Sequence, residues 1–92
     1  MREYLGEKAY VETDGIGNKR WYKNGTYHRD DGPAVVHATG FKSWWYEGKL
    51  HREDGPAVIW AGDSYQWWYH GKNIHCNSQV EFERLLRLKA FW

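Results

Sequence analysis

Apolar and polar positions along this chain alternate in short bursts, with no helical periodicity before Ser78. Three aromatic segments stand out: Arg20-Trp21-Tyr22, Ser43-Trp44-Trp45-Tyr46 and Gln66-Trp67-Trp68-Tyr69. Each is preceded by a turn pair, Asp14-Gly15, Thr39-Gly40 or Gly62-Asp63, and followed by another, Asn24-Gly25, Glu47-Gly48 or His70-Gly71. Such pairs tolerate positive φ and so close hairpins. The pattern predicts an antiparallel meander of about six or seven short strands joined by tight turns. Met1 to Lys8 is weakly patterned and reads as an edge strand or an arm.

A repeat underlies the pattern. His51 to Ile59 reads H-R-E-D-G-P-A-V-I, and His28 to Val36 reads H-R-D-D-G-P-A-V-V, an offset of 51 − 28, or 23, residues. The changes, Asp30 to Glu53 and Val36 to Ile59, keep charge and shape. A fixed period means one supersecondary unit used several times. Tyr10 to Trp21 reads as a worn half-copy, and the third copy decays at His75-Cys76-Asn77. Gly-Pro cannot sit within a central ladder, so it marks a bend from which Ala-Val-Val or Ala-Val-Ile starts the next strand.

After Cys76 the period changes. Ser78-Gln-Val-Glu81 has the form of a helix capping box, and Phe82, Leu85, Leu86 and Lys89 follow helical spacing. One helix is expected over Gln79 to Lys89, ending near Ala90-Phe91-Trp92. It would cap the open core of the last repeat. The chain is thus read as a single mainly β domain, 1–92, with a β-repeat region over 10–77 and a C-terminal helix cap over 78–92.

Composition sharpens this picture. Seven Trp and seven Tyr must supply much of the core, because each aromatic buries a large area. Thirteen basic residues against twelve acidic give no broad attraction to double-stranded nucleic acid. One cysteine excludes an internal disulfide framework and fits a reducing compartment. No stretch reads as a signal peptide or a membrane span. The histidines and Cys76 do not assemble into a zinc-finger-type ligand set, and no cofactor is implied. Cys76 lies just before the helix cap, where a thiol can be activated. No orienting partner supports that use, so the chain is expected not to be an enzyme.

The pattern W-Y-x-x-G-x-x-H-R-x-D-G-P-A, as it stands from Trp21 to Ala34, resembles repeats in small proteins of tailed bacteriophages. It is more distantly similar to MORN-type repeats, which stack β-hairpins into a sheet. The resemblance covers about Tyr10 to His75. It implies a phage origin, a cytoplasmic location in the infected bacterial cell, and an accessory factor that blunts host defence.

Two kinds of residue are candidates for binding. Arg29 and Arg52 could hold phosphate or carboxylate. The alternative is structural: each arginine pairs with the aspartate two positions on, Asp31 or Asp54, and pins the Gly-Pro bend. Aligned on the second glycine turns, Trp21, Trp45 and Trp68 are placed on one sheet face. Tyr22, Tyr46 and Tyr69 are placed on the other, together with Trp44 and Trp67. One helix can cover only part of one face. The Tyr22/Trp44/Tyr46/Trp67/Tyr69 face is therefore expected to meet a host protein or a second protomer. Two rival functions are a sponge for a cyclic nucleotide signal, stacking bases on Tyr or Trp with Arg29 and Arg52 on phosphates, and a structural virion component.

Overall fold

The computed structural model of the chain describes residues 1–88. It is an antiparallel β meander with one C-terminal helix. The strands are β1 (Arg2–Gly6), β2 (Ala9–Thr13), β3 (Lys19–Lys23), β4 (Thr26–Tyr27), β5 (Val35–Val36), β6 (Lys42–Ser43), β7 (Trp45–Tyr46), β8 (Lys49–Leu50), β9 (Val58–Ile59), β10 (Tyr65–Tyr69) and β11 (Lys72–Ile74). Helix α1 spans Gln79–Leu88. The expected extension to Lys89 and the end near Trp92 lie outside the described residues.

The main sheet runs β1-β2-β3-β5-β6-β9-β10-β11, with β4 also on β3, and β7-β8 forms its own ladder. The molecule is a thin slab, 42 × 30 × 16 Å. Second-turn glycines Gly25, Gly48 and Gly71 all have φ of 81°, preceded by Asn24, Glu47 and His70 at 48–52°. Two successive left-handed residues fit the twist of a two-residue hairpin.

The strands outnumber the expected six or seven: each Gly-Pro bend cuts a strand in two, Trp44 parts β6 from β7, and β1 forms in the weakly patterned first residues. The Trp21 amide donates to the Ala34 carbonyl at 2.7 Å, and the His28 amide donates to the Trp21 carbonyl at 3.0 Å. Residues 29–33 are therefore looped out of the ladder around one tryptophan. Trp44 does the same with Ala57 at 2.7 Å and His51 at 3.1 Å, looping out 52–56. Ala34 and Ala57 are fully buried where the strand resumes. Each looped segment then meets the next copy. The Arg29 amide donates to the Trp45 carbonyl, and the Arg52 amide to the Trp68 carbonyl.

The helix begins as its residues dictate. Ser78 Oγ accepts from the Glu81 amide, and Glu81 reaches back to the Asn77 amide, one residue before the cap. Its inner face sets Phe82 against Trp67 and Ile74, with Leu85, Leu86, Tyr69 and Cys76 packed around them.

Candidate functional site

The looped-out segment is built around its arginine. Arg29 lies over the Trp21 ring at 3.9 Å, and Arg52 over the Trp44 ring at 3.8 Å. Each guanidinium donates through Nε to the aspartate two positions on, Asp31 at 2.9 Å or Asp54 at 2.8 Å. Each also donates through Nη1 to the proline carbonyl, Pro33 or Pro56, at 3.1 Å. The glycine behind it leaves room for the guanidinium, most tightly at Gly55. A Cβ on Gly32 would sit 3.0 Å from Arg29 Cζ, and one on Gly55 only 2.6 Å from Arg52 Cζ. Hydrogen bonding from Arg29 and Arg52 lowers the pKa of Asp31 and Asp54, respectively, from the ordinary value. The expected Arg-Asp pairing at the bend is present, with an indole beneath it.

The third copy has no such arginine. There the Trp67 indole nitrogen donates to Gln79 Oε1 at 2.8 Å, and Phe82 covers the ring. Gln79 also donates to the Glu53 carbonyl, tying α1 to the second bend. Helix α1 thus replaces the missing clamp.

These contacts correct the assignment of faces. The 23-residue period aligns Trp21 with Trp44 and Trp67, not with Trp45 and Trp68. Successive strand residues point to opposite faces, so Tyr22 lies opposite Trp21. It belongs to a ring ladder, Tyr4-Tyr10-Tyr22-Tyr27-Trp45, with centroids 4.9–5.8 Å apart. The Trp45 indole folds back to donate to Ser43 Oγ, and the Trp68 indole to Gln66 Oε1. Tyr22 is therefore separated from Trp44, Tyr46, Trp67 and Tyr69. Trp67 is only 7 % exposed and is core beneath α1, so it is no surface residue. Tyr69 is half-buried beside the same cluster. The helix covers the very end of the face expected to meet a partner.

The open part of that face is a groove of about 740 Å³ between the two bends. Trp44, Trp45 and Tyr46 line it together with His51 and His70. Tyr46 is 44 % exposed and packs on the His28 ring at 4.6 Å. The groove carries two guanidiniums, Arg29 and Arg52, and four carboxylates, Asp30, Asp31, Glu53 and Asp54. The carboxylate side chains are 65–87 % exposed, whereas those of Arg29 and Arg52 are 24 % and 21 % exposed. A smaller groove of about 520 Å³ repeats the arrangement one period earlier, at Trp21, His28, Arg29, Asp30 and Asp31. The acidic rim and the histidines are site features not among the expected binding residues. The signal for them was the Asp30/Glu53 and His28/His51 identity of charge and type at the repeat offset.

Cys76 is half-buried, and burial followed by the nearby Glu81 pushes its thiol up, away from nucleophile range. Among the described residues no group of three His, Cys, Asp or Glu side chains is placed to hold a metal ion. No helix among them is long and apolar enough to cross a membrane. No protein-family model, curated protein or solved structure matches the chain.

Proposed function

We propose that this chain is a non-enzymatic binding module. It docks a protein partner with basic side chains into the aromatic groove between its two bends. The observation that carries this reading is the orientation of charge. Arg29 and Arg52 are turned inward onto tryptophan and held by their own bends, while the outward charges are carboxylates. A nucleotide sponge needs those guanidiniums directed at phosphate. The exposed rim favours lysine or arginine of a partner instead, over an aromatic floor that suits an interface. With the resemblance to phage repeat proteins, the partner we favour is a bacterial host protein of a defence system, and the setting is the infected cell.

The test is affinity capture from host lysate with the parent protein and with a Tyr46→Ala/Glu53→Lys double variant. The expected result is a protein retained by the parent and lost by the variant, with unchanged circular dichroism. Calorimetric titration with cyclic dinucleotides should give no saturable heat. A saturable heat abolished by Arg52→Ala would replace this reading with the sponge.

A further inference from the structure

We infer that His28 and His51 are proton-sensitive clasps, holding each repeat to the next only while their Nδ1 atoms are unprotonated. Two matching hydrogen bonds lie one period apart. The Glu47 amide donates to His28 Nδ1 at 2.9 Å, and the His70 amide donates to His51 Nδ1 at 2.9 Å. A backbone amide can only donate, so each Nδ1 must present its lone pair. That fixes the tautomer. The ring proton sits on Nε2, which His28 donates to Asp30 Oδ1 at 3.0 Å. His51 Nε2 lies 3.6 Å from Glu53 Oε2, beyond hydrogen-bond reach.

An imidazolium carries a proton on both nitrogens and accepts from neither. Protonation would set Nδ1–H against the amide N–H that it now binds, and that contact must open. What opens is a turn already held in an uncommon conformation. Glu47 and His70 are non-glycine residues with φ of 49° and 48°. Each clasp therefore joins a bend of one copy to the hairpin turn of the next.

Different groups face the two rings. His28 is buried, with Asp30 at Nε2 and the Tyr46 ring beside it. His51 faces the stacked ring of His70 at 4.2 Å, Tyr69 at 5.0 Å, Tyr46 at 6.4 Å and the carboxylate of Glu53. Arg29 and Arg52 share the groove but are engaged with Asp31 and Asp54. Burial first, and then His70, lower the pKa of His51, outweighing Glu53. That shift keeps the His51 clasp closed near neutrality. His51 and His70 also line the groove proposed above for docking, so opening the clasp would reshape its wall. This last consequence rests on that reading; the clasp itself does not.

The test is a nuclear magnetic resonance titration of the full chain from pH 8 to pH 5, following imidazole nitrogen shifts and amide exchange. At pH 8 both rings should be Nε2–H tautomers. As each ring protonates, the Glu47 and His70 amides should lose exchange protection. The Gly48 and Gly71 amides, bonded to the Tyr27 and Leu50 carbonyls, should lose it later. A His28→Asn/His51→Asn variant places an amide oxygen near each Nδ1 position and does not titrate; it should keep the two amides protected at pH 5. An Nδ1–H tautomer at pH 8 would overturn the inference. So would Glu47 and His70 amides that stay protected after the parent rings have protonated. Partner capture repeated at pH 8 and pH 5 bears on the docking reading alone. Intact clasp chemistry with pH-independent capture would sink only the claim that the groove is the docking wall.

Discussion

Arg52 is confined by the Trp44 ring, Asp54, the Pro56 carbonyl and the bare backbone of Gly55. A desolvated cation–π contact contributes about 1–2 kcal/mol, and a hydrogen bond from a charged group to a carbonyl adds a comparable amount. The guanidinium is partly exposed, so screening trims the sum, and about 2 kcal/mol is the expected cost of Arg52→Ala. In a domain of this size that lowers the melting temperature by roughly 10 °C. Arg52→Lys should recover little of it, because an ammonium offers neither the planar stack nor the fork. Gly55→Ala must push the guanidinium off its ring. It should destabilise the parent markedly but add little to Arg52→Ala, a non-additivity that thermal melts of the two singles and the double would measure. Equal, additive losses would mean that the glycine serves some end other than the clamp.

At the scale of elements, the hairpin turns, the Gly-Pro bend, the Arg-Asp pairing and the start of α1 were all legible in the sequence. Each depends on neighbours close along the chain: Ser78 with Glu81, Arg52 with Asp54. The faces were legible only through the repeat offset: the 23-residue period pairs Trp21 with Trp44 and Trp67, whereas the doublets at Trp44-Trp45 and Trp67-Trp68 invite a one-residue slip that moves every side chain to the opposite face. Ring contacts across strands settle which tryptophan matches Trp21. The eight-residue spacing from Trp21 to Arg29, repeated from Trp44 to Arg52, held that information, since the arginine stacks on the indole it counts from. The role of α1 follows from the same register. It covers Trp67 because the third copy offers His75 where the first two offer arginine. Truncation after Cys76 should therefore bare Trp67 and Ile74 and abolish cooperative unfolding, read by a calorimetric scan. Ser78→Ala alone should cost about 1 kcal/mol, through the lost cap. A soluble truncation that melts cooperatively would show that the sheet needs no cover there.

At the scale of the molecule, two pH windows follow from the folded state. Burial and His70 hold the pKa of His51 below its ordinary value of 6.5. Between the two values the unfolded chain is protonated and the folded chain is not. Stability therefore falls as pH drops below about 6.5 and levels off once the folded ring also titrates. Asp31 and Asp54 have lowered values set by their arginines, so their contribution is present above 3.8 and is lost as pH falls through the lower folded values. Melting curves from pH 8 to pH 2 should show two separate declines, and His51→Asn should remove much of the first.

The repeated Arg-Trp clamps are scaffold, and the acidic, aromatic groove between them is surface. The melting temperature of two double variants separates these roles. Arg29→Ala/Arg52→Ala should fall by roughly 20 °C, since two independent clamps each contribute about 2 kcal/mol. Tyr46→Ala/Glu53→Lys should stay within a few degrees of the parent, as exposed substitutions do. A clamp variant that melts with the parent, or a groove variant that melts with the clamp variant, would contradict the account.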